Sequence, residues 1–299
     1  MNKKQLRIIF RIGALVLLAA YILFLNQRSE NHEREATQVL TYENEVLEVH
    51  FIDVGQGDAI LVEAASSTLL IDAGDNHMAS TVVKYLQKQG IETLDYIIGT
   101  HPHSDHIGGL DYVINTFDVN RILMPEAVHT TKTYEDVLDA IEDKGMRITV
   151  PRVGDEYQLG PASFSILAPS SNDYSDLNDH SIGIRLIYKN SEFLLAGDAG
   201  SLSEQEMLQS GMDLKADVLK ISHHGSEYSS CADFLDAVSP THAVISVGRD
   251  NEYGHPHKAV LQALNERDIS IYRTDEQRNI IFTTDGKTIS VNTEPYTLR

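Results

Sequence analysis

Residues 100–109 read Thr-His-Pro-His-Ser-Asp-His-Ile-Gly-Gly, directly after residues 94–99, an apolar run with the length and β-branched content of a buried strand. His101, His103, Asp105 and His106 are therefore packed into one short strand-end loop. Imidazole and carboxylate are the ligand types that borderline cations such as zinc take. In an extended loop His101 and His103 point the same way, whereas Asp105 and His106 lie past the bend and can face a second ion. The stretch thus predicts a two-metal centre at the end of a strand.

The same strand-then-ligand rhythm recurs along the chain. Short strand-like runs at residues 46–52, 59–64 and 68–71 precede the motif. Between the first two, Asp53-Val54-Gly55-Gln56-Gly57-Asp58 is a tight turn whose backbone must approach something closely. Helical patterns at 107–117 and 134–144 follow, then strands near 121–124, 147–150 and 163–167. Three further polar groups stand beside apolar strands: His180 before residues 182–188, Asp198 after 193–197, and His223 after 217–221. A sheet scaffold presents ligands at one rim in this way. Strands in two clusters, each interleaved with helices, predict an α/β chain folded as an αββα sandwich of two mixed β-sheets with helices outside.

Composition narrows the rest. The 299 residues carry 44 acidic against 24 basic side chains, a net charge of −20, so the summed field repels phosphate backbones unless metals reverse it. The single cysteine, Cys231, excludes an internal disulfide and a cysteine zinc site. Residues 1–28 stand apart: Lys3, Lys4, Arg7 and Arg11 precede the apolar run 12–25. This reads as an uncleaved membrane anchor with its start in the cytoplasm, a cleaved signal peptide being the alternative. Residues 29–45, with His32, are polar and aperiodic and suit a tether, leaving 46–299 as the folded domain.

With these residues in hand, the chain resembles the metallo-β-lactamase fold hydrolases from about residue 46 onward. Within them it looks like the extracellular hydrolase domain of ComEC-type DNA-uptake proteins. The residues carrying this are 51–59 (Phe-Ile-Asp-Val-Gly-Gln-Gly-Asp-Ala), Asn178-Asp179 before His180-Ser181, Leu195-Ala196-Gly197-Asp198-Ala199, Leu219-Lys220 before His223-His224-Gly225-Ser226, and Tyr253-Gly254-His255-Pro256-His257. Two departures stand out. Those proteins carry a large multi-span channel region whereas this chain shows at most one span, so a role in DNA transport is not implied, and many have aspartate where this chain has His103.

The resemblance implies two divalent ions, zinc or else manganese. One would take His101, His103 and His180, the other Asp105, His106 and His223 (with His224 as the competitor), and Asp198 would bridge them. It also implies a metal-activated water, with Asp105 and His255 as candidate catalytic groups. The expected function is a phosphodiesterase or nuclease held at the cell membrane with its domain outside, DNA or another phosphodiester being the partner. Alternatives are a hydrolase of a cell-wall phosphodiester, lactone or β-lactam, a secreted form, and a catalytically idle binding protein.

Overall fold

Leu47, Val49 and Phe51 point to one side of the first strand, into an apolar core, while Glu48 and His50 point to the other. That period-2 split lets a strand serve two layers at once. The computed structural model describes residues 45–298, and its strands form two sheets.

The first sheet contains β1 (Leu47–Phe51), β2 (Ile60–Ala64), β3 (Ser67–Ile71), β4 (Thr93–Ile98), β5 (Asp118–Leu123) and β6 (Ile148–Thr149). The second contains β7 (Glu156–Leu159), β8 (Ala162–Ala168), β9 (Gly183–Tyr188), β10 (Ser191–Leu195), β11 (Val218–Lys220), β12 (His242–Ile245) and β13 (Ser270–Arg273). The chain then returns to the first sheet with β14 (Ile280–Thr284) and β15 (Ile289–Val291), giving the orders β15-β14-β1-β2-β3-β4-β5-β6 and β13-β12-β11-β10-β9-β8-β7.

Both sheets are mixed. β3 to β6 run parallel, as do β10 to β13, and the remaining pairs are antiparallel. Between the sheets lie Phe51, Val62, Phe164, Ile184, Phe193 and Phe282. Helices Ala79–Lys88, Leu110–Thr116 and Lys132–Asp143 cover the outer face of the first sheet through residues such as Val82, Leu86, Val113 and Ile141. Helices Ser201–Gln209, Ala232–Val238 and Lys258–Asn265 do the same for the second through Met207, Phe234 and Leu264. Each such buried side chain contributes about 1.5–3 kcal/mol, so three stacked apolar interfaces hold the rim where the ligands sit.

The αββα sandwich expected from the sequence is the fold observed. Its details differ in three places. The helix expected over 107–117 is two pieces, Ser104–Ile107 and Leu110–Thr116, with Gly108-Gly109 between them. A Cβ on Gly108 would lie 2.3 Å from the Asn76 nitrogen, so this corner is held by close backbone contact rather than by continuous helix. β7 gave no sequence signal, because an edge strand that buries only Leu159 has little apolar alternation to show. The closing strands do not extend the second cluster: β14 pairs antiparallel with β1, from Leu47↔Thr284 to Phe51↔Ile280.

Among the described residues no helix is long and apolar enough to cross a membrane. The anchor assigned to residues 1–28, and the tether up to residue 44 with His32, lie outside the described residues.

Candidate metal centre

β4 ends at Ile98, and the chain then runs through Thr100-His101-Pro102-His103 into the short helix Ser104–Ile107, which begins inside the motif. Neighbouring strand-end loops tie this one down by backbone. Asp58 N–H donates to the Asp105 carbonyl at 3.1 Å, and Ala73 N–H donates to the His106 carbonyl at 2.7 Å. Gly57 is the close approach that the turn 53–58 called for. Its φ is +129°, and a Cβ there would fall 2.1 Å from the Asp105 carbonyl oxygen.

Four side chains converge. One ligand atom from each of Asp105, His106, Asp198 and His224 lies within 4.8 Å of all the others. Asp198 Oδ2 stands 3.2 Å from Nε2 of both His106 and His224, and those two nitrogens are 3.3 Å apart. Asp105 Oδ2 is 3.3 Å from His224 Nε2 and 3.8 Å from His106 Nε2.

Groups behind the imidazoles settle which way they face. His106 Nδ1 lies 2.8 Å from Asp72 Oδ2, and His224 Nδ1 lies 2.9 Å from the Ser246 carbonyl oxygen. Each Nδ1–H is spent on an acceptor, so both Nε2 atoms face the two carboxylates. With Nε2 deprotonated, the two rings and the two carboxylates form a four-acceptor set that could hold a cation. A divalent metal fits this donor set, as histidine and carboxylate ligands fit a zinc-type ion.

The other expected ligands are placed differently. His101 is fully buried, its Nδ1 near the Thr100 and Ser181 hydroxyls at 3.1 and 3.3 Å and its Nε2 3.0 Å from His103 Nδ1. This pair presents nitrogens together, but His180 does not join them in a group of three. His180 is buried against Tyr174, with Nδ1 lacking a hydrogen bond, while its neighbour Ser181 reaches His101.

His223, preferred to His224 from sequence, is not in the convergent group, its Nε2 standing 4.0 Å from Asp198 Oδ2. The reason is backbone. His223 and His224 both have positive φ, +50° and +55°, so the chain coils tightly and turns His224 inward, leaving His223 on the wall of the cleft.

Three buried groups drew no functional reading from the sequence. Lys220 Nζ contacts Asp58 Oδ2 at 2.5 Å and Asp198 Oδ1 at 3.5 Å, and donates to the Gly197 carbonyl at 2.8 Å. Asp72 accepts from Thr100 N–H and Oγ1–H as well as from His106. Only their position at the ends of apolar strands could have pointed to them.

The electrostatics follow from this packing. Desolvation lowers His101, His103 and His223, keeping them neutral. Desolvation also opposes charge on His224, but Asp198 and Asp105 outweigh it and push the group up to about 9. His106 is raised well above its usual range, burial again being outweighed by Asp198 and Asp105. Burial, then His224 and His223, pull His255 down to about 4.

A pH dependence follows. Because the folded pKa of His224 lies above its ordinary 6.5, its contribution to the metal-free fold is fully present below about 6.5 and is lost as pH rises through about 9. Zinc competes with that proton, so zinc affinity should climb across the same window while the melting temperature of chelator-treated protein falls. Affinity measured by titration that stays flat there would show that His224 is not a ligand.

A cleft of about 310 Å³ opens above this floor, lined by His103, Asp105, Asp198, His223, His224 and His255 among others. His129, not singled out from sequence, also lines it, its ring 6.2 Å from that of His103. Exposed Tyr253 stacks on His255 at 5.7 Å.

ComE operon protein 3 of Bacillus subtilis is 33% identical over 251 residues, 78% of this chain and 32% of that protein. Competence protein ComA of Neisseria gonorrhoeae is 32% identical over 267 residues, 89% of this chain and 34% of that protein. The chain therefore spans about a third of the length of these relatives. The metallo-β-lactamase fold protein YhfI of Bacillus subtilis superposes with a TM-score of 0.54 at 13% identity, covering 80% of this chain and all (100%) of that one. The metallo-β-lactamase superfamily pattern matches residues 52–249, on the same strands and loops that build the centre, and the chain belongs to this superfamily of metal-dependent hydrolases.

Proposed function

We propose that this chain is a phosphodiesterase or nuclease that works outside the cell membrane through a pair of divalent cations, zinc foremost. The convergence of Asp105, His106, Asp198 and His224 on the cleft floor carries this reading. Likeness to a competence protein, with the resemblance to ComEC-type DNA-uptake proteins, favours a phosphodiester among hydrolysable bonds.

Cations held here would lower the pKa of a bound water and hold charge developing on the attacked group. The remaining work falls to side chains. Asp105, His106, Asp198 and His224 would hold the first cation, and His101 and His103 would supply nitrogens for a second. Asp72 and the Ser246 carbonyl keep the His106 and His224 rings turned inward. His255, neutral at pH 7, serves as an N–H hydrogen-bond donor to the leaving group rather than as an imidazolium acid.

One observation favours the second reading, a small non-nucleic substrate. Among the described residues no lysine or arginine lines the cleft, so a long polyanion would gain little from this wall.

The test is an assay of the zinc- and manganese-loaded chain on bis-p-nitrophenyl phosphate, single-stranded DNA and nitrocefin, run with intact cells beside purified protein. Phosphodiester turnover in both is expected. Nitrocefin hydrolysis alone would overturn the substrate class, and activity appearing only after lysis would overturn the location.

His224→Ala should lose metal and activity together, whereas His223→Ala should keep its metal and lose turnover. Elemental analysis beside kinetics would check this, and equal metal loss in both would show that either histidine can ligate.

A further inference from the structure

On the outer face of the first sheet, away from the cleft lining, Glu48 and His50 of β1 and Glu63 of β2 bring ligand atoms within 4.8 Å of one another. Glu48 and Glu63 are directly opposed across the β1–β2 pair. Like charges in that position destabilise a sheet. Among the described residues neither carboxylate has a lysine or arginine partner, and Glu48 is otherwise engaged only by the Thr283 hydroxyl at 3.1 Å.

His50 is 1% exposed and aims Nε2 at this pair, 3.3 Å from Glu63 Oε1 and 3.6 Å from Glu48 Oε2, yet that nitrogen has no hydrogen-bond partner. Its other nitrogen lies 2.8 Å from the Tyr85 hydroxyl and 3.3 Å from the Gln89 amide nitrogen, both at the C-terminal end of the covering helix. The Gln89 amide N–H serves the Tyr85 oxygen, and the tautomer that donates Nδ1–H to that same oxygen leaves an Nε2 lone pair facing two carboxylates, the arrangement that metal-ligating histidines show with an outer partner.

Burial lowers the pKa of His50, so the protein supplies no positive charge of its own here. Ligand atoms about 2.0–2.2 Å from a tetrahedral zinc stand about 3.3–3.6 Å from each other. The two distances from His50 Nε2 fall in that range.

We propose that Glu48, His50 and Glu63 form a second, separate site for a zinc-type divalent cation. Partly exposed carboxylates leave the outward position to water. The ion cancels the opposed charges and, through His50 and Tyr85, pins the β1–β2 hairpin to helix Ala79–Lys88, a structural role independent of the hydrolytic cleft.

The test uses the full chain, stripped with chelator, reloaded with zinc, dialysed and analysed for metal per chain. Glu48→Gln and Glu63→Gln preserve shape at partly exposed positions, and each should carry one zinc fewer than the parent with hydrolysis of bis-p-nitrophenyl phosphate unchanged. Without zinc, Glu63→Gln should melt at or above the parent, because the opposed charges are gone; with zinc the order should reverse. Asp198→Ala empties the cleft instead and should retain the zinc that Glu63→Gln loses. Equal zinc in the parent and both glutamine variants, or a melting order that zinc does not change, would overturn the site.

Discussion

Asp198→Ala should lose hydrolysis by more than ~100-fold while keeping its helix and strand content. Loss of even an outer partner of a metal ligand typically costs 10–100-fold, roughly, and Asp198 faces both inward histidines directly, at 3.2 Å each. Without it the imidazole nitrogens confront each other and the cation with Asp105 as the sole carboxylate among the four convergent groups. Fold should survive, because Lys220 keeps Asp58 at 2.5 Å and β10 buries Phe193, Leu194 and Leu195 independently of the carboxylate. Asp198→Asn keeps shape and one acceptor and should fall between. Metal per chain, turnover and far-UV circular dichroism check this together. Full metal content with undiminished turnover in Asp198→Ala would show that the cation is held without it.

Lys220→Met should produce the largest stability loss. The ammonium is completely buried between Asp58 and Asp198, and desolvation disfavours its charge, but the two carboxylates outweigh that and raise its pKa. Removing one member of a buried charge group leaves the others uncompensated, at about 3–5 kcal/mol. In a domain of this size that corresponds to a drop in melting temperature of roughly 6–20 °C. The effect should be greatest in chelator-treated protein and shrink when zinc is added, since a divalent ion also neutralises Asp198. Differential scanning calorimetry with and without zinc reads both numbers. A metal-free variant melting within a degree or two of the parent would mean that Asp58 and Asp198 do not depend on Lys220.

Much of this was legible in the residues. The motif at 101–106 marks a strand end because ligands and apolar run are contiguous, and Gly57 announced a close approach because only glycine allows one there. The sandwich was visible in the alternation of strand and helix patterns. What stayed hidden depends on backbone angles or distant neighbours. Two successive left-handed residues decide between His223 and His224, and neither histidine shows it in its side chain. Lys220 at the end of an apolar strand reads as a side chain reaching for water, and only the packed fold reveals two aspartates waiting for it. Asp58 reads as a turn residue, since carboxylates close many turns. β14 and β15 could not be assigned to a sheet, because strand patterns carry no address for their partner.

That last pairing bears on how the chain is made. β1 is made long before β14, the strand that fills its second edge, and the nearby hydrogen bond from Asp53 N–H to Asn279 spans 226 residues. Throughout synthesis of everything between, one flank of that β-ribbon offers open amides and carbonyls to any passing strand, including those of other nascent chains. Closure across so long a loop is slow, so until Ile280 has been made that edge is exposed to intermolecular pairing.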